Sequence, residues 1–347
     1  MGRPQRAAVD IYRHPGTVVH SETLSELSAF RFARFRFHLR AQECLRLPPY
    51  KGSALRGGFG QVFRRIACLG SELGFGQCLL GERCPYHYIF ETPPPAGSVI
   101  LGKIPTAPQP FVLEPPLETK QIYERGEALV FHLVLIGTAF DYLPYFLYTF
   151  DELGRVGLGQ GKGKYELESV AWLDEAGNAV LIYDGSRKML TDSFHALSLS
   201  QLSVPPSAPF QLSVSFLTPT RLKYENQLAA NCEFHVFFRN LVRRIALLNY
   251  FHCGGEFPPE RKDFVEQARS IEMVSSELHW VDRERYSNRQ QRWTPIGGFV
   301  GHVTYRGDLA PFLPYLRLGE YTHVGKGATF GLGGYKMTLP VGQGRNS

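Results

Sequence analysis

An α+β fold made of two diverged copies of one strand–helix–strand–strand–helix–strand unit is predicted for this 347-residue chain. Three matches between the two halves carry that expectation. The run "VGLGQGKGKY" (Val156 to Tyr165) shares its order of Val, Gly, Gly, Gly and Tyr with "VGKGATFGLGGY" (Val324 to Tyr335). "LPYFL" from Leu143 answers "LPYLR" from Leu313, 170 residues on, and "FRRIA" from Phe63 answers "VRRIA" from Val242, 179 residues on. Matches in one order at nearly one offset mark an internal duplication.

In the first copy, "RFARFRFHLR" alternates Phe35, Phe37 and Leu39 with Arg34, Arg36, His38 and Arg40, which predicts a strand over about 31–40 with one apolar and one cationic face. Leu55, Phe59, Val62, Phe63 and Ile66 fall at helical spacing and predict a helix over about 53–67, with Ser53 able to cap it. A strand at about 128–137, a short helix near 140–152, the glycine loop and a strand at about 163–172 follow. The second copy opens with "FQLSVSFLT", and Phe234, Phe238, Leu241, Ile245 and Leu248 then share the face of a helix over about 234–250. Strands near 272–281 and 298–306, a helix near 308–317, the glycine loop and a last strand complete the ferredoxin-like order. The boundary is expected at "SVPPSAP", giving domains 1–203 and 204–347.

At 44% hydrophobic and 20% charged residues, the chain can bury two cores of roughly 150 residues each. "MGRPQRAAVD" lacks the apolar run of a secretory signal. The most apolar stretch, "LVFHLVLIGTAFDYLPYFLYTF", carries His132, Asp141 and Pro144, which argues against a membrane span. Six cysteines without a leader fit reduced thiols in a cytoplasm.

The net charge of +6 is modest, but Arg31 to Arg65 holds nine Lys or Arg, including Lys51 and Arg56, against one acid, Glu43. A charge run is often only a solvated face. Three arginines and a histidine on one strand face repel one another unless an anion covers them, which points to a polyanion and, on a strand platform, to RNA. "HWVDRERYSNRQQRW" adds Arg283, Arg285, Arg289 and Arg292 beside Trp280, Tyr286 and Trp293, a mixture suited to phosphate contact and base stacking. In the C-terminal loop, Gly325, Gly327, Gly331 and Gly333 can expose backbone N–H groups to phosphate oxygens. Neither loop fits a nucleotide fingerprint, because none ends in Gly-Lys-Ser/Thr or joins a first strand to its helix.

Together, "LPPYKGSALRGGFGQVFRR", "FLTPTRLK", "RERYSNRQ", "GGFVGHVTY" and "VGKGATFGLGGY" resemble the RAMP superfamily of CRISPR-associated proteins, and within it the sixth Cas family, over about Phe32 to Tyr335. The resemblance implies tandem ferredoxin-like, RRM-like domains and an endoribonuclease that cuts the CRISPR precursor transcript within each repeat. It further implies a metal-independent attack by the 2′-hydroxyl, leaving 2′,3′-cyclic phosphate and 5′-hydroxyl ends, with no catalytic cofactor. Such a reaction needs alignment, two proton transfers and charge stabilisation. Candidates are His323, with His38 as rival or partner, and Lys326 for the phosphorane. The implied partners are repeat RNA and other Cas effector subunits. A non-catalytic RAMP subunit that holds guide RNA, or an RNA-binding protein outside CRISPR, would share these features. Cys68, Cys78, Cys84 and His87 form a weak zinc candidate, since their spacing is irregular and Phe75 stands where a C-x-x-C pair would begin.

Overall fold

The computed structural model describes residues 26–68, 84–92, 107–203, 210–225, 227–229, 231–256, 262–287 and 292–338. In the first half, β1 (Arg31–Ala41) leads to α1 (Gly52–Ala67), β2 (Phe111–Glu114), β3 (Ala128–Ile136), α2 (Leu143–Val156) and β4 (Tyr165–Leu173). The strands pair antiparallel in the order β2–β3–β1–β4, the ferredoxin-like arrangement. A hairpin, β5 (Ala179–Asp184) and β6 (Met189–Leu190), extends the sheet beyond β4. In the second half, β7 (Gln211–Thr220), α3 (Phe234–His252), β8 (Glu272–Val281), β9 (Glu284–Ser287), β10 (Arg292–Pro295), β11 (Gly298–Arg306), α4 (Leu313–Thr322) and β12 (Tyr335–Thr338) follow. The order β8–β11–β7–β12 repeats the first sheet, with β9 and β10 forming a separate hairpin. Among the described residues, no helix is long and apolar enough to cross a membrane.

Alternation in β1 gives the expected two faces. Phe35, Phe37 and Leu39 are buried under the helices, while Arg34, Arg36, His38 and Arg40 are half-buried on the other side. Phe59 of α1 stacks on Phe146 and Phe150 of α2, at 4.8 and 5.1 Å between ring centres, so the aromatic stripe fastens both helices to the sheet. Ser53 does not cap α1: the helix starts at Gly52 after Lys51, with no side-chain cap. Sequence periodicity overlooked β2, whose four residues are too short to show alternation, and also the β5–β6 hairpin. The expected linker residues 204–209 lie outside the described residues; the first sheet ends at Ser198 and the second begins at Gln211.

The halves meet through specific contacts. Phe32 packs on Tyr321 at 4.6 Å, and Tyr50 donates to the Phe330 carbonyl at 2.7 Å. His252, at the end of α3, holds Tyr88 Oη and the Pro108 carbonyl at 3.0 and 2.7 Å. The C-terminal glycine loop is pressed against β2 and the start of α1. A Cβ on Gly52 would lie 2.0 Å from the Phe330 oxygen, and one on Gly331 would lie 2.3 Å from Pro115. Gly331 also has φ +80°, a conformation that disfavours side chains.

Candidate nucleic-acid interface and the adjoining cleft

The glycine loop separates two features of different chemistry. On one side, Tyr50, Arg56 and Arg285 meet Phe330, and Arg283 covers Tyr50. Arg285 lies over the Phe330 ring at 4.5 Å, Arg56 over the same ring at 5.4 Å, and Arg283 over Tyr50 at 5.5 Å. The loop delivers Phe330, the residues before and in α1 deliver Tyr50 and Arg56, and the chain at the β9–β10 hairpin delivers both remaining arginines.

Among the described residues, none of these three guanidiniums forms an ion pair with a carboxylate, and the buried Nε atoms of Arg56 and Arg283 have no hydrogen-bond partner. Burial, followed by smaller effects that include repulsion from Arg285, pushes Arg56 down to about 10. Burial also lowers Arg285 and pushes the Tyr50 phenol far up, so that phenol stays protonated. Partly desolvated cations without counter-ions are costly unless an anion completes them. The shelf therefore has the chemistry of a phosphate site with an aromatic floor.

On the other side of the loop lies a cleft of roughly 210 Å³ between the halves. Register builds its floor: Glu114 on β2 faces His132 on β3, which faces Arg36 on β1. Arg34 Nε donates to Glu114 Oε2 at 2.8 Å, and Glu114 Oε1 lies 3.4 Å from His323 Nε2. Burial alone would raise Glu114, but Arg34 and His323 outweigh it and hold the carboxyl down at about 2. Burial, reinforced by Arg34, pushes His132 down to about 4, so its imidazole is neutral near pH 7.

The expected site residues divide. His323 lines the cleft but is 4% exposed, with Nδ1 3.1 Å from the Leu332 carbonyl and Nε2 facing Glu114. Lys326 is exposed near Lys223 and Arg221, which after burial lower its pKa, and it does not line the cleft that His323 lines. His38 stands on the outer face of β1, four residues or about 13 Å along the strand from Arg34; burial and then Arg36 lower its pKa.

Nor is the arginine row uniformly free: Arg34 is paired with Glu114 and Arg40 with Glu168, carboxylates that neighbouring strands bring in. Arg36 keeps a buried Nε without a partner among the described residues. Lys51 is a correction, because its fully buried ammonium donates to the Pro49 and Glu118 carbonyls and cannot meet RNA.

Two of the four expected glycine N–H groups are a second correction: those of Gly331 and Gly333 are already donated to the Ala328 and Pro219 carbonyls, as are the neighbouring N–H groups of Lys326, Phe330 and Gly334 to Arg221, Gly327 and Thr218. Gly325, Gly327, Gly331 and Gly333 all take positive φ, so they shape the loop and its seat on the first half. Tyr286 lies in β9, and Arg289 lies outside the described residues.

Cys78 of the zinc candidate also lies outside them. Cys84 is buried against the Ala67 carbonyl and His87 lies 3.9 Å from Glu91. Among the described residues, no group of three or more His, Cys, Asp and Glu is placed to hold a metal. Sequence reasoning missed Tyr50, Glu114 and His132. No local signal marked the last two, since each gains meaning only from its cross-strand partners.

Residues 30–194 match a family model described as an N-terminal domain, and residues 214–335 match the model of the CRISPR-associated endoribonuclease Cas6. An uncharacterized protein of Archaeoglobus fulgidus is 26% identical over 298 residues, covering 84% of this chain and 92% of the relative. A Cas6 product complex superposes with a TM-score of 0.52 at 16% identity, over 88% of this chain and 100% of the other. A partial Cas6-RT-Cas1–Cas2 complex gives 0.55 at 15% identity over 90% of this chain, which spans only 46% of that longer chain. These two likenesses fix the tandem ferredoxin-like fold, and the match to the Cas6 model is confined to the second half, residues 214–335.

Proposed function

We propose that this protein binds CRISPR repeat RNA across the arginine shelf and cuts it there by transesterification. The 2′-hydroxyl loses its proton to solvent water as it attacks the adjacent phosphorus, and the 5′-oxygen leaves and is protonated, giving a 2′,3′-cyclic phosphate and a 5′-hydroxyl without a metal in the step. The observation that carries this reading is the set of three guanidiniums, two over Phe330 and one over Tyr50, with no carboxylate partner among the described residues. They would hold the scissile phosphate in line and offset charge on the phosphorane. Tyr50, protonated and beside Arg283, donates to the Phe330 carbonyl in this structure and would turn its O–H from that carbonyl to give a proton to the leaving oxygen. His323 would act behind the loop as a positioning residue, through Leu332 and Glu114. Lys326 and Arg36 extend the cationic surface for flanking phosphates.

A second reading, a RAMP subunit that holds guide RNA without cutting it, is favoured by one observation: no histidine lies on the shelf among the described residues. Single-turnover cleavage of a labelled repeat RNA in excess EDTA separates the two. The first reading expects one cut with a cyclic-phosphate end; tight binding with an intact RNA establishes the second. Assembly with further Cas proteins, as in the Cas6-RT-Cas1–Cas2 complex, is part of the same proposal and is tested by co-purification.

A further inference from the structure

We propose that the cleft between the two halves is a pocket for one unpaired guanine, read by the Glu114 carboxylate and gripped between Leu117 and Leu217. The inference rests on RNA as the substrate class and adds which base the protein recognises and where.

Shape supplies the first support. At roughly 210 Å³ the cleft falls below the 300–1,000 Å³ of drug-sized pockets, which suits one planar base and excludes a stacked pair. Its lips are apolar and come from both halves: Leu117 is 60% exposed and Leu217 43% exposed, although each is a large hydrophobic side chain. Solvated leucines brought to one cleft from the two halves are poorly placed for stability alone and offer apolar surface to the faces of an aromatic ring.

The floor supplies the second support. Glu114 is an ionised carboxylate with a side chain 14% exposed toward the cleft; its Oε2 accepts from Arg34 Nε at 2.8 Å and keeps a second lone pair, and its Oε1 has only the long 3.4 Å approach of His323. His132 lines the same floor and has no hydrogen-bond partner among the described residues. A carboxylate accepts two hydrogen bonds side by side, and guanine alone among the four bases offers adjacent N–H donors, N1–H and the N2 amino group. Adenine and cytosine would set a ring-nitrogen lone pair against the carboxylate. Uracil would set a carbonyl on either side of its single N–H. The guanine O6 needs a donor, which His132 can supply from the floor and Lys336 from the rim, where it is 48% exposed.

Nucleotide binding tests the pocket without requiring repeat RNA or cleavage. Equilibrium titration with GMP, IMP and AMP is expected to give at least tenfold tighter binding of GMP, since IMP lacks the N2 amino group and AMP reverses the donor pattern. Glu114→Gln should bring GMP and IMP within about threefold of each other, because an amide cannot accept both bonds. Leu217→Ala, an exposed change that threatens folding little, should weaken GMP severalfold and keep its preference over IMP. Equal binding of the three nucleotides, or no binding at millimolar concentration, overturns the proposal, even where the protein binds or cuts repeat RNA through its arginine shelf.

Discussion

Replacing Arg283 and Arg285 together by glutamine removes two charges from the shelf while keeping side chains of polar character and similar reach. Each phosphate contact on single-stranded RNA contributes about 0.7 to the slope of log affinity against log salt, so losing two flattens it by about 1.4. From about 50 to about 200 mM salt, log concentration rises by roughly 0.6, and wild-type affinity should fall about sevenfold more than that of the double variant. Arg56 is a poorer probe, because its guanidinium also covers Phe90 at 4.4 Å and Phe111 at 5.4 Å, and its loss would disturb packing. Fluorescence anisotropy on a labelled repeat RNA at four salt concentrations reads the slope, with Arg269→Gln, already paired to Glu266, as the control. If the double variant keeps the wild-type slope, the shelf does not touch phosphate and the proposed function loses the observation that carries it.

Three further outcomes follow from the same geometry. Tyr50→Phe should slow single-turnover cleavage by roughly 100-fold or more at unchanged affinity, while His323→Ala stays within about tenfold; the reverse order would return the chemistry to His323. Gly331→Ala should cost roughly 1–3 kcal/mol in urea unfolding, since it forces a side chain into φ +80° and within 2.3 Å of Pro115; an unchanged midpoint would mean that the loop is not seated on β2. Burial lowers His252 from 6.5 to about 4, so the unfolded chain takes up this proton first. The associated stability is whole above pH 6.5 and is lost as pH falls toward 4, a drop on the order of 3 kcal/mol that His252→Gln should remove from the pH profile.

The duplication was legible because it writes itself three times, in the glycine loops, the "LPY" helices and the "RRIA" helices. Long periodic elements such as β1, α1 and α3 were legible for the same physical reason: their burial repeats at the period of the backbone. The site was less so. Arg34 and Arg40 read as free cations in sequence, yet Glu114 and Glu168 lie 80 and 128 residues away and reach them only through strand pairing. Lys51 sits in a strongly basic run, and nothing local shows that its ammonium is sealed beneath carbonyls. The hairpin arginines stood out in sequence by their one-sided charge, whereas Tyr50 did not, because an isolated tyrosine carries no pattern.

The glycine loop's real task changes what the repeat means. In the first half the corresponding loop seats on its own domain, where Gln160 donates to the Arg46 carbonyl and a Cβ on Gly159 would meet that oxygen at 2.3 Å. In the second half it crosses to the other domain, where Gly52 and Gly331 allow the two backbones to touch. One motif has thus served first as an internal turn and then as a seam. Phe330 rises on one side of that seam under the guanidiniums, and Gly331 closes the cleft on the other. A loop held by Tyr50 from one domain and by Pro219 and Thr218 from the other cannot shift without moving both features together. An RNA lying across the shelf and placing a base in the cleft would therefore lock the two halves in register, and the cut position would follow from the distance between them.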